Sequence, residues 1–267
     1  MMQQDYLESF AGTSVGCVRK NNEDSALMMK EQRIFVVADG MGGGSAGEMA
    51  SLMAISEIER LALRAKLRPA ELESVIIRST YSVNNQIKEY AQEHGFKSMG
   101  TTIATLLFNP WYPAQALAMH AGDSRIYCYR DGSLKQLTKD HSVSPDSNVI
   151  TNGLGLGGGF YLDITSVDVR QDDLFIVCSD GLSHMVSDKE ISIICKIGIE
   201  RGTPEALCKS LINRALEKGG KDNVTVIVIQ VKDLPKDYEP SDEELEEESA
   251  VQRQNIRDLS ETPPTIR

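Results

Sequence analysis

Apolar residues follow two rhythms along this chain, and each change of rhythm marks a change of element. Near the start, residues 12–18, 25–29 and 33–38 are short stretches carrying Val, Leu, Met, Ile or Phe, with Lys30-Glu31-Gln32 as a turn between the last two. Such runs predict β-strands, because branched and aromatic side chains suit a pleated surface. A glycine-rich stretch from Asp39 to Gly44 breaks the pattern. From Ser45 the apolar spacing lengthens toward that of a helix, which is expected to run to about Leu63. A second helix is expected from Arg68-Pro69, with Leu72, Val75, Ile76, Val83 and Ile87 down one face.

From Gly100 the period changes again. Residues 101–108, 114–120 and 125–130 read as strands, and Asp131-Gly132 is a hairpin turn. Residues 141–161, rich in Gly, Ser and Asn, read as a loop. Strands resume at 164–169 and 174–179. Ser187-Asp-Lys-Glu190 is a capping box for a helix to about Ile199, and Thr203-Pro204-Glu205 opens another that ends near Gly219-Gly220. The last strand is 223–231. Strands fall in antiparallel-looking groups and helices in two blocks, which predicts an α+β layered sandwich rather than a doubly wound parallel sheet. After Leu234-Pro235 apolar content falls away. One domain over 1–234 and an acidic, disordered tail over 235–267 are therefore expected.

Charge narrows the choice of partner. A formal net charge of −11 argues against nucleic acid, whose backbone needs clustered Lys and Arg. Part of that charge is local, since residues 241–249 hold six acidic groups in nine positions. The five cysteines (17, 128, 178, 195 and 208) are odd in number, form no Cys-x-x-Cys pair and mostly lie in apolar runs. Buried, reduced thiols are the expected state. The first residues lack the basic and apolar regions of a signal peptide, and no apolar stretch reaches the ~18 residues of a membrane span. A soluble, cytoplasmic protein is expected.

The candidate chemistry lies where apolar runs stop. Phe35-Val-Val-Ala runs into Asp39-Gly40, Phe175-Ile-Val-Cys-Ser runs into Asp180-Gly181, and Asp222-Asn223 precedes Val-Thr-Val-Ile-Val-Ile. A further segment carries Arg19 and the acidic pair Glu23-Asp24. Several carboxylates without a His or Cys cluster favour hard cations, Mg²⁺ or Mn²⁺, over Zn²⁺. With one Arg added, the expected substrate is a phosphate ester.

Taken in order, Arg19…Glu23-Asp24, Asp39-Gly40-Met41-Gly42-Gly43, Gly100-Thr101-Thr102, Gly122-Asp123-Ser124-Arg125, Ser179-Asp180-Gly181 and Asp222-Asn223 form a set. Any one of them alone reads as a strand-end turn or a surface charge; all six in one order do not. In this set, over about residues 10–231, the chain resembles the metal-dependent Ser/Thr protein phosphatases of the PPM (type 2C-like) family, in its bacterial stand-alone form. The resemblance implies a four-layer α-β-β-α sandwich with two divalent ions, Mn²⁺ or Mg²⁺, at one end. It implies hydrolysis of phosphoserine and phosphothreonine by a hydroxide shared between them. In that reading Asp39 bridges the ions, Gly40 adds its carbonyl to the second, Asp180 and Asp222 complete the first, and Glu23 completes the second. Asp24 holds metal-bound water, Arg19 grips phosphate oxygens, and Asp123 with Asp180 offers a third, weaker metal site. A phosphoprotein substrate, an opposing Ser/Thr kinase and a monomeric enzyme follow from the same resemblance.

Two departures stand out. Met41 occupies a position where some relatives carry His, and a thioether cannot donate a proton to the leaving group. The family's flap is almost absent, since Asp140-His141-Ser142 reaches Asn148-Val-Ile-Thr151 across only residues 143–147. His120 reads as a core or edge histidine, and His184 lies near the Asp180 motif without being assigned to the site. The competing classes are a non-catalytic scaffold on the same fold and a hydrolase of a small phosphorylated metabolite. The scaffold is disfavoured because no metal carboxylate is missing.

Overall fold

The strand Val224–Val231 carries no alternating polar face, because both of its faces are covered. Val224, Val226 and Val228 point into one apolar cluster with helix side chains, while Ile227, Ile229 and Val231 point into another between two sheets. Ile34, Val36 and Ala38 alternate with Phe35 and Val37 in the same way on the other side of the molecule. Two-sided burial with a period of two is what a stack of helices, sheet, sheet and helices requires.

The computed structural model describes residues 6–66, 68–144, 149–236 and 239–261. In chain order its elements are β1 (Leu7–Ser14), β2 (Asp24–Met29), β3 (Ile34–Met41), α1 (Ser45–Ala62) and α2 (Pro69–His94). Next come β4 (Gly100–Thr101), β5 (Ile103–Phe108), β6 (Gln115–Ala121), β7 (Arg125–Arg130), β8 (Ser133–Gln136) and β9 (Asp163–Asp168). The chain continues through β10 (Leu174–Cys178), α3 (Asp180–Ser183), α4 (Asp188–Arg201), α5 (Pro204–Glu217), β11 (Val224–Val231) and α6 (Asp242–Glu261). One sheet has the order β1-β11-β10-β7-β8 and the other β2-β3-β5-β6-β9, with every neighbouring pair antiparallel. Phe108 links the sheets by edge-on contacts with Phe35 at 5.9 Å and Phe175 at 5.4 Å. Helices α1 and α2 cover the second sheet, and α4 and α5 cover the first. The expected α+β four-layer sandwich is thus the observed architecture.

Most expected elements form close to their expected bounds. The capping box before α4 is present, with the Ser187 and Glu190 side chains each bonding the other's backbone N–H. Strand β1 starts earlier than expected, at Leu7, because it pairs along its full length with β11. The shortened flap falls partly on residues 145–148, outside the described residues. On either side of them, Val143 N–H donates to Val149 O at 3.0 Å.

The tail expected to be disordered is corrected over Asp242–Glu261, which form α6. Ser241 and Glu244 make a second capping box, with Ser241 N–H donating to Glu244 Oε2 at 2.8 Å and Glu244 N–H to Ser241 Oγ at 3.3 Å. Acidic side chains crowded into a first helical turn also suit the positive end of the helix dipole. Helix α6 rests on the start of α2. Glu248 Oε1 accepts the Ala70 N–H at 2.5 Å, and Arg68 pairs with Glu247. Residues 237–238 and 262–267 of that tail lie outside the described residues.

Among the described residues no helix is long and apolar enough to cross a membrane. All five cysteines are free, with only Cys17 exposed.

Candidate functional site

Every strand end that carries a candidate carboxylate lies at the same end of the sandwich. Asp24 opens β2 and pairs in register with Asp39 near the close of β3. Asp123 follows β6, Asp180 follows β10, and Asp222 stands just before β11. Between them is a cleft of about 410 Å³. Glu23, Asp39, Gly40, Asp123, Asp180, Asp222 and Arg19 line it. Asp24 is the exception. It sits behind the lining, 9% exposed, where Ser179 Oγ donates to its Oδ2 at 2.8 Å.

Backbone and hydroxyl contacts hold these acids in place. Asp39 N–H donates to Thr102 Oγ1 at 3.0 Å, and its carbonyl accepts from Thr102 N–H and Thr101 Oγ1, both at 2.9 Å. Thr102 Oγ1 in turn lies 2.7 Å from Ser124 Oγ, which ties the Asp39 turn to the Asp123 turn. Asn223 fastens the acidic loop to β11. Its Oδ1 accepts Glu23 N–H at 2.8 Å and its Nδ2 donates to the Val15 and Asn21 carbonyls, both at 2.9 Å. Glu23 Oε1 accepts the Gly44 N–H at 2.7 Å, at the start of α1. A Cβ on Gly47 would collide with the same carboxylate, so glycine is what lets α1 approach it.

The electrostatics are those of crowded like charge. Burial first, then neighbouring Asp24, Asp180, Asp123 and Asp222, push the Asp39 carboxyl well above the ordinary range. Burial pushes Asp24 up to about 7 against the opposing hydrogen bonds from Thr225 and Ser179, with Asp180 and Asp222 adding to the rise. Asp123 is likewise raised to about 7, by burial and then by Asp180. Asp180 goes the other way. Burial pushes it up, but His184, a hydrogen bond from Asp39 and the charge of Arg19 hold it low. His184 Nδ1 lies 3.2 Å from Asp180 Oδ2, and that contact raises the His184 pKa.

These features fit divalent cations. Asp24 Oδ1 is buried without a hydrogen-bond partner, and several carboxylates face one another with little positive charge between them. Hard oxygen donors from Asp, Glu and a backbone carbonyl form the set that Mg²⁺ and Mn²⁺ prefer. His120, His141 and Asp163 also cluster, outside the lining of this cleft.

Comparison with known proteins gives this geometry a family. Protein phosphatase 2C matches residues 11–212. This chain belongs to the protein phosphatase 2C family. Within the family it is 32% identical over 241 residues to the serine/threonine phosphatase stp of Listeria welshimeri, covering 82% of this chain and 93% of that relative. PppA, described as a key regulatory component of T6SS in Pseudomonas aeruginosa, superposes with a TM-score of 0.76 at 31% identity, over 84% of this chain and 97% of that one. The catalytic domain of the serine/threonine phosphatase PstP, solved with two manganese ions, superposes with a TM-score of 0.71 at 33% identity, over 85% and 99% of the two chains.

Several cleft residues were not legible from motifs. His184 lines the cleft although its sequence position left it unassigned, and Met185, Ile150 and Lys221 line it too. The spacing of one helical turn from Asp180 to His184 was the available signal. His120 is buried, as expected of a core histidine, and its Nε2 donates to the Lys139 carbonyl at 2.9 Å.

Proposed function

We propose that Glu23, Asp39, the Gly40 carbonyl, Asp180 and Asp222 hold the two divalent cations of a phosphatase acting on phosphoserine and phosphothreonine in proteins. Family membership makes the chain a metal-dependent Ser/Thr protein phosphatase. One observation carries the residue assignment. Five aspartates converge on one end of the sandwich, and burial, with mutual repulsion added to it, pushes Asp39, Asp24 and Asp123 toward protonation. Such a cluster is stabilised as carboxylate by added positive charge.

Bound there, the cations would acidify a shared water and neutralise charge on the phosphoryl oxygens. The chain's own residues orient the reactants. Arg19 uses one guanidinium nitrogen on Asp222 and keeps further N–H donors for phosphate oxygens. Asp24, itself held by Ser179 behind the lining, would hold cation-bound water by hydrogen bonding. Asp123 and Asp180 form a third, weaker cation site. Met41 lines the cleft but carries no proton to give a leaving group.

The substrate reading implies an opposing Ser/Thr kinase, a cytoplasmic setting and a monomeric enzyme. The relative stp is named for the same Ser/Thr specificity. The test is hydrolysis of phosphoserine, phosphothreonine and phosphotyrosine peptides by metal-stripped protein, with and without added Mn²⁺. Turnover of the first two should appear only with metal. Asp39→Asn should lower it by at least ~10²-fold in a folded protein. Turnover in stripped protein, or in folded Asp39→Asn, overturns the assignment.

A further inference from the structure

The turn that carries Asp123 is clamped from both sides by one short segment. On one side the Arg125 guanidinium grips Asp140 through three contacts of 3.0, 3.1 and 2.7 Å. On the other, His141 consumes both backbone polar groups of Gly122. Its N–H donates to the Gly122 carbonyl at 2.9 Å, and its ring Nδ1 accepts the Gly122 N–H at 3.1 Å. Asp123 and Ser124 are the two residues between these fastenings.

The proton on the His141 ring is fixed by its neighbours. Nδ1 also faces the Asn152 Nδ2 donor at 3.0 Å, and that amide is oriented by donating to the Tyr161 carbonyl at 2.8 Å. With two donors aimed at it, Nδ1 carries no hydrogen, so Nε2–H donates to Asp163 Oδ2 at 3.0 Å. This settles what the His120, His141 and Asp163 cluster can be. A cation on Nε2 would take the ring's only hydrogen while Nδ1 still accepted two bonds, leaving an imidazolate. The cluster is a hydrogen-bonded junction, with the His120 ring stacked on His141 at 4.5 Å.

We infer that His141 is a positioning residue for Asp123, holding the Gly122 turn so that the Asp123 carboxylate faces the cleft. Gly122 adopts φ +118, and a Cβ there would press on the Thr102 side chain. The turn is thus pinned between Thr102 and His141, with no ladder bonds of its own to hold it. Without the His141 acceptor, a buried N–H loses its partner and the turn reorganises. Asp123, 6% exposed, is then held from the Ser124 side alone, through the Thr102 hydroxyl, and its carboxylate shifts from its place in the cleft. This inference rests on the reading of Asp123 as a carboxylate of the third, weaker cation site.

The experiment is Mn²⁺ binding to the full chain, followed by the electron paramagnetic resonance of free Mn²⁺, which reads sites without turnover. Asp123→Asn should remove the weakest class of bound ion. His141→Ala should weaken that class roughly 10-fold, the scale of an outer partner's loss, while the two tighter ions stay unchanged. His141→Asn, whose side-chain carbonyl can accept the Gly122 N–H, should recover most of the affinity. The double variant Asp123→Asn/His141→Ala should match Asp123→Asn alone. His141→Phe keeps the stacking on His120 and repeats the test if the alanine variant does not fold. An unchanged weak class in folded His141→Ala or His141→Phe overturns the inference alone, as does equal weakening of all three ions. Failure of both variants to fold assigns His141 to the core and overturns it too. An unchanged weak class in Asp123→Asn overturns the reading of Asp123 itself, and the inference with it.

Discussion

Arg19 Nη2 lies 2.6 Å from Asp222 Oδ2, joining an arginine of the cleft to a candidate metal carboxylate across 203 positions of sequence. The pair sits at the rim, with side chains 50% and 36% exposed, where an ion pair adds at most about 1 kcal/mol to stability. Arg19→Ala should therefore leave the melting temperature nearly unchanged. Its effect belongs to substrate: a rise in KM, with roughly 1–3 kcal/mol lost from kcat/KM as charge-assisted bonds to phosphate disappear. A clear drop in melting temperature at constant KM would make the residue structural.

Metal-free protein should lose stability as pH rises. Asp24 and Asp123 have folded pKa values near 7, above the unfolded value of 3.8, so the folded state holds more protons between those limits. Stability is then fully present below pH ~4 and declines as pH passes through ~7, by an upper bound of about 4 kcal/mol for Asp24 alone. Mn²⁺ should flatten that decline by favouring the carboxylate forms. Thermal melts from pH 5 to 8, with chelator and with Mn²⁺, give the comparison. Identical slopes in the two series would contradict it.

Gly47 in α1 offers a mutation that strikes the site from behind. An added methyl would meet the Glu23 carboxylate and displace it from its contact with the Gly44 N–H. Gly47→Ala should raise the Mn²⁺ concentration for half-maximal activity by about 10-fold or more. Alanine's helix propensity partly offsets the strain in overall stability. Unaltered metal dependence would show that Glu23 has room to move.

Removal of residues 236–267 deletes α6 and with it the Glu248 carboxylate from the Ala70 N–H. The expected cost is that of a helix cap, about 0.5–2 kcal/mol, rather than nothing. Turnover of a small aryl phosphate should be unaffected, because α6 docks at the start of α2, near Asn109 and Gln115 and far from the strand ends that carry Asp39 and Asp123. Lost turnover on that substrate would place the tail at the cleft.

Much of this was readable in the chain, for a physical reason. Strands such as Val224–Val231 and Leu174–Cys178 are buried on both faces, so they read as predominantly apolar runs with one end at the cleft. The acids at those stops were visible because a turn residue follows each. What stayed hidden depends on contacts between distant positions. The Asn223 bond to Glu23 spans 200 positions and the Ser179 bond to Asp24 spans 155. Gly47 looks like any small residue in a helix until the Glu23 carboxylate is placed against it. Helix α6 is hard to read for another reason: an acidic, apolar-poor segment has the composition of solvated chain, and only the local Ser-x-x-Glu pair of Ser241 and Glu244 signals a helix start.

The anchoring of α6 also decides how the enzyme can be tethered. The segment around Glu247 and Glu248 is fastened to the start of α2, at the end of the sheet away from the acids. A fluorophore or a surface linker attached at Leu245, 42% exposed and one turn before Glu248, would leave the cleft facing open solution, free to meet a bulky folded phosphoprotein head-on. An attachment at Val18, 66% exposed and one residue from Arg19, would crowd the entrance instead.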